Sequence, residues 1–143
     1  SNPTLSEEVF GPFSLVVSCK DISEMQSVAA SLKGQLTSTL IATENELKNN
    51  KALVELIASK CGRLILNGVP TGVEVCLAMQ HGGPFPATTD PRFSSVGADA
   101  IKRFARPISY QNFSDSLLPD ELKNNNPLKI WRTVNDQLTR DAL

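Results

Sequence analysis

Two capping-box signatures, Asp21 with Glu24 and Thr43 with Glu46, each open an amphipathic stretch that lies between runs of β-branched and apolar residues. That alternation constrains the chain more than any other feature. Phe13-Ser-Leu-Val-Val-Ser-Cys19 reads as a buried strand, and so do residues 36–41 and 63–66. Ile22, Met25, Val28, Ala29 and Leu32 recur at helical spacing, with Gly34 as the stop. A second helix is expected from 43 to about 61, stopped by Gly62. Strands separated by helices need crossover connections, so the first hundred residues predict an α/β fold with a largely parallel sheet covered by helices.

Residues 68–93 are rich in Gly, Pro and Thr and read as a loop, with one helical turn near 75–79. A connection of that length inside a compact domain is uncommon and tends to carry function. A helix carrying Ala98, Ile101, Arg103 and Phe104 follows, ended by Arg106-Pro107, and residues 108–111 read as a strand. The tail changes character. Residues 114–126 are polar, and 130–139 alternate about Asn135-Asp136, a turn pair between two short strands. The expected division is therefore 1–112 as the α/β part and 113–143 as a tail.

Composition removes several classes of function. Fourteen basic and fifteen acidic residues are well mixed, for a net charge of −1, and no basic stripe points to nucleic acid. No apolar run approaches the roughly 20 residues a bilayer requires. Ser1-Asn2-Pro3 opens neither a charged nor an apolar leader region, so no secretory signal is read there. Cys19, Cys61 and Cys76 are odd in number and unrelated in context, and the single His81 has no metal-ligand neighbours. Neither a disulfide framework nor a metal site is expected, and unpaired thiols fit a reducing cytoplasm.

Glu7-Glu8-Val-Phe10-Gly11-Pro12 resembles the Glu-x-Phe-Gly-Pro motif of the aldehyde dehydrogenase superfamily. As a bare hexapeptide it reads equally well as a loop entering a strand, with Phe10 for packing and Gly-Pro as punctuation. The rest of the chain adds to the likeness. Asn67 follows a strand as in the family's Val-Asn segment, and Gly82-Gly83 match its paired glycines. His81 stands where many members carry Phe, and the Lys-x-Ser-Gly that often follows is absent. Instead His81-Gly-Gly-Pro-Phe-Pro-Ala-Thr-Thr-Asp90, Ser94-Ser-Val-Gly97, Arg106-Pro-Ile-Ser-Tyr-Gln-Asn112, Asn126-Pro127 and Trp131-Arg132 resemble the 2,5-dioxovalerate dehydrogenase branch of that family.

The resemblance implies the C-terminal portion of an NADP- or NAD-dependent enzyme that oxidises a small aldehyde to a carboxylate. It implies a three-layer αβα architecture with a C-terminal β arm used in homo-oligomers, dimeric or tetrameric. Glu8 would hold the nicotinamide ribose, since a carboxylate accepts from both hydroxyls at once. Phe10 would pack beside the nicotinamide ring, and Val73, Val75 and His81 would line the substrate tunnel. Arg92 and Arg103 are further sources of positive charge for an anionic substrate, although a solvated helix face explains Arg103 as well. No catalytic residue is expected in this chain. Gly34-Gln35-Leu36-Thr37 is the nearest string to the family's Gly-Gln-x-Cys, but it holds Thr. No G-x-G-x-x-G stands in a strand-to-helix context. The rival reading is a non-enzymatic α/β module for binding or assembly.

Overall fold

A computed structural model describes residues 7, 9–70, 72 and 74–143. Among them the chain forms two compact units, Ser1–Ala105 and Arg106–Leu143. The first is α/β and holds helix α1 (Ile22–Ser31), strand β1 (Gln35–Leu40), helices α2 (Glu44–Asn49) and α3 (Lys51–Ser59), and strand β2 (Cys61–Leu66).

The Thr43–Glu46 capping box forms as the sequence predicts, while at Asp21 only the cap forms and the Glu24 carboxylate accepts from Lys20 N–H instead. Asp21 accepts from the Glu24 amide at 2.8 Å and opens α1. Thr43 and Glu46 satisfy each other's backbone amides and open α2. These donors would otherwise be left bare at the helix starts. The Glu46 carboxyl is held below its usual range, chiefly by the Thr43 backbone N–H and then by its hydroxyl. The single helix expected over 43–61 is broken instead. Asn50 leaves helical geometry at φ −123° and ψ 39°, and its side-chain amide donates to the Glu46 carbonyl at 2.8 Å. Asn in a helix competes with the ladder in this way.

β1 and β2 run parallel, with Gln35 opposite Cys61 and Leu40 opposite Leu66. The crossover between them is α2–α3, as parallel pairing requires. α1 packs on α3, and the two buried apolar side chains, Ala29 and Leu53, come one from each helix. Beyond β2 the ladder is prolonged by a side chain. Asn67 turns to φ 51°, and its amide both accepts from Ala42 N–H and donates to Ala42 C=O, each at 2.9 Å. The carboxyl ends of the two strands are thereby tied together.

Two expected strands are corrected. Residues 13–19 and 108–111 are irregular, and among the described residues no strand pairs with either. A strand exists through its ladder, and apolar β-branched composition alone supplies no hydrogen-bond partner. The helix expected after Gly97 is a 3-10 helix, Ala98–Phe104, opened by Gly97 at φ 93° with no side-chain cap. Gly34 and Gly62 are not helix stops. α1 ends at Ser31 with Leu32 as its cap, and Gly62 lies inside β2.

The second unit is a hairpin with a polar surround. Strands β3 (Arg132–Val134) and β4 (Gln137–Thr139) pair antiparallel, with Asn135 at φ 47° and Asp136 at φ 64°. Two successive left-handed residues make the type I′ turn that suits hairpin twist, as the Asn-Asp pair predicts. Arg132 and Val134 are half-buried while Trp131 and Thr133 are exposed, which is the predicted alternation.

The glycines of the first unit yield a test. A Cβ on Gly62 would stand 1.7 Å from the Gly82 carbonyl oxygen, whereas one on Gly11 would meet nothing within 4 Å. Gly62→Ala is expected to destabilise by at least the ~1–3 kcal/mol typical of overpacking, and Gly11→Ala to change stability by less than about 0.5 kcal/mol. Equal denaturation midpoints for the two variants would contradict this packing.

Candidate functional site

The long loop docks on the amino ends of β1 and β2 through atoms that only glycine leaves room for. A Cβ on Gly83 would lie 2.3 Å from the Gln35 carbonyl oxygen, and one on Gly34 would lie 2.0 Å from that of Pro84. With Gly62 against Gly82, backbone rests on backbone at three points. These contacts fix His81, which immediately precedes them.

Beyond Gly83 the loop binds itself. Ser94 is 4% exposed, and its hydroxyl accepts from the His81 amide at 3.1 Å and the Val96 amide at 3.3 Å while donating to the Val96 carbonyl. Ser95 N–H returns to the His81 carbonyl at 3.0 Å. Thr88 donates to the Gly83 carbonyl at 2.8 Å. His81 is therefore held by both its backbone groups. Its ring Nδ1 is buried and meets no hydrogen-bond partner among the described residues. A shielded imidazole nitrogen without a partner is costly in a finished interior.

Arg92 folds onto Asp90 in a fork, with Nε on Oδ1 at 2.9 Å and Nη2 on Oδ2 at 2.7 Å. Those hydrogen bonds, the side-chain ones first, push the Asp90 carboxyl down to about 2. Arg103 reaches only the Phe93 carbonyl, at 3.4 Å. The charge on Arg92 is thus already matched, and Arg103 is the less engaged of the two guanidinium groups.

Phe10 is 99% exposed and Val75 80% exposed, whereas Ser94, which holds His81, is 4% exposed. Glu8 and Val73 lie outside the described residues. Glu7, next to Glu8 in the sequence, is paired with Lys33 at 2.7 Å. An open cleft of about 630 Å³ lies between Leu32, Lys33, Gly34, Ser59 and Lys60 on one side and Pro84, Phe85 and Pro86 on the other. Asn67, at the far end of β2, stands roughly 16 Å along the strand from the Gly62–Gly82 contact. No cluster of metal-ligating side chains occurs among the described residues, and no helix among them is long and apolar enough to cross a membrane.

Sequence reasoning missed Ser94 as the hub of the loop. A Ser two residues before an amide it can accept from is a recognisable turn signal, and Ser94-Ser95-Val96 carries it. The clearance role of Gly34 and Gly62 had no local signal, because it depends on segments about 50 and 20 residues away.

Comparison with known proteins bears out the resemblance read from the residues. Over 140 residues, 98% of its length, the chain is 54% identical to the alpha-ketoglutaric semialdehyde dehydrogenase of Acinetobacter baylyi, covering 27% of that protein. Over 132 residues, 92% of its length, it is 52% identical to alpha-ketoglutaric semialdehyde dehydrogenase 2 of Azospirillum brasilense, covering 25%. The chain therefore spans about a quarter of the length of these curated relatives. No family model matches.

Two measurements check the loop. Ser94→Ala removes one hydroxyl that makes three bonds, and it is expected to cost about 1–3 kcal/mol in chemical denaturation; a loss below about 0.5 kcal/mol would show that the loop holds without it. Asp90 has a folded-state value below the ordinary 3.8, so its stabilising contribution is present above that value and is lost as pH falls toward about 2. In Arg92→Ala the Asp90 midpoint seen by NMR is expected to rise toward 3.8, and an unmoved midpoint would assign the shift to another cause.

Proposed function

We propose that this chain, similar along nearly all its length to the alpha-ketoglutaric semialdehyde dehydrogenases, is the C-terminal part of an NADP- or NAD-dependent aldehyde dehydrogenase that oxidises 2,5-dioxovalerate to 2-oxoglutarate. The observation that carries the reading is 54% identity over 98% of the chain to a protein of that name. In the parent, residues 1–112 belong to a three-layer catalytic domain in the cytoplasm. Residues 113–143 form an arm that joins subunits of a homo-oligomer, with Trp131 as anchor.

The nicotinamide coenzyme fits what the chain offers at Phe10. That ring is 99% exposed, so a flat aromatic partner has an open face to lie against. When bound, the coenzyme supplies the hydride acceptor. The residues of this chain bind and orient. Glu8 accepts from the ribose hydroxyls, Phe10 restrains the tilt of the ring, and the 67–93 loop keeps water from the aldehyde. Val73, Val75 and His81 line that passage. The nucleophile, the general base and the dinucleotide-binding domain belong to the remaining portion of the parent, so this chain alone does not turn over.

In the full-length parent, Glu8→Gln is expected to slow hydride transfer while leaving coenzyme affinity within a few fold. Misplacement by about 1 Å costs about 10²-fold in rate. A hydride-transfer rate within about threefold of wild type, roughly 0.65 kcal/mol in barrier, would remove Glu8 from the coenzyme. Aldehyde oxidation by this chain alone, above buffer background and surviving repurification, would overturn the division of labour.

A further inference from the structure

We infer that Asn67 is a positioning residue for the substrate passage, an inference that rests on the function proposed above. It clamps the carboxyl ends of β1 and β2 and so sets where the segment carrying Val73 and Val75 leaves the sheet. Three hydrogen bonds make the clamp. Asn67 N–H donates to the Leu40 carbonyl at 2.8 Å, and its side-chain amide accepts from Ala42 N–H and donates to Ala42 C=O, each at 2.9 Å. A carboxamide offers an acceptor and a donor side by side, as a paired peptide group does.

The backbone and the side chain of Asn67 do different things. Its φ of 51° is left-handed, a geometry that Asn tolerates better than most residues. The main chain therefore turns out of the strand while the side chain stays bonded to the neighbouring one. The other jaw of the clamp is firm. Ala42 leads into Thr43, whose amide and hydroxyl both bond to the Glu46 carboxylate, at 2.7 and 2.8 Å.

The segment beyond depends on how its ends are held. Among the described residues, none of 68–79 hydrogen-bonds to β1 or β2. Its own bonds are local, Cys76 N–H to the Glu74 carbonyl at 3.1 Å and Met79 N–H to the Cys76 carbonyl at 3.3 Å. The His81 end is fixed at the amino edge of the two strands by Gly82 against Gly62 and Gly83 against Gln35. The other end leaves the carboxyl edge from Asn67. A wall held only at its ends moves when either end moves, so loosening Asn67 displaces Val73 and Val75 while the glycine contacts keep His81 in place.

The test is steady-state kinetics of the full-length parent with 2,5-dioxovalerate. Asn67→Gly keeps the left-handed turn and removes both side-chain bonds. It is expected to raise KM for the semialdehyde at least about tenfold, with kcat per active site within about threefold and coenzyme KM within about twofold. Asn67→Asp keeps the acceptor for Ala42 N–H but sets a carboxylate against the Ala42 carbonyl, and its KM is expected to move in the same direction. Faster amide exchange at Ala42 is expected in the Asn67→Gly enzyme, and equal exchange overturns the clamp. A merely structural role would lower the fraction of active enzyme and leave both KM values alone, which overturns the inference. So does loss of soluble enzyme in both variants, since Asn67 is exposed and its role here is placement, not folding. A parent that oxidises 2,5-dioxovalerate while both variants keep its KM leaves the functional reading standing and removes the positioning role. A parent that oxidises other aldehydes instead removes the functional reading, and the same comparison of KM with the accepted aldehyde decides on Asn67.

Discussion

Three main-chain contacts at the amino ends of β1 and β2, where Gly34, Gly62 and Gly83 meet carbonyl groups of Pro84, Gly82 and Gln35, hold the long loop against the sheet. Side chains usually keep neighbouring segments apart and supply the dispersion between them. Here the segments touch without them, so the loop has little freedom to slide. Everything downstream in the first unit inherits that fixity. His81 precedes the contact, Ser94 closes back on His81, and Gly97 opens the 3-10 helix from a position pressed against the Cys76 carbonyl.

Much of the fold was legible because its signals are local. A helix cap needs four residues and a type I′ turn needs two, and the Asp21 cap, the Thr43–Glu46 capping box and Asn135-Asp136 act as their chemistry dictates. Errors came where a residue answers to something distant. Gly34 and Gly62 sit where a helix stop would stand, yet their partners belong to the loop. Asn50 breaks the second helix through a bond to a carbonyl one turn back, a choice that spacing alone does not reveal. The 13–19 run has the composition of a strand and finds no ladder.

The candidate site was less legible than the fold. Its residues were assigned through likeness to a family, and of these the described structure shows His81 held by its supports. Phe10 and Val75 are exposed. A motif can name the group that binds a coenzyme while the wall that completes the site lies in another stretch of sequence. Ser94 shows the opposite case, a residue to which the family likeness gives no role and which organises the loop through three hydrogen bonds.

The second unit rests on a different balance of forces. Asn126, 3% exposed and at φ 46°, gives its amide to the carbonyls of Ile130 and Arg140 and accepts from the Ile130 amide. Arg132 spans the carbonyls of Lys123, Asn124 and Asp141. Polar side chains bonded to backbone do here what an apolar core does elsewhere. Heat capacity of unfolding tracks apolar surface exposed and is offset by polar surface. Such a unit therefore has a shallow stability curve, weakly bent with temperature, and cooling costs it little of the force that holds it.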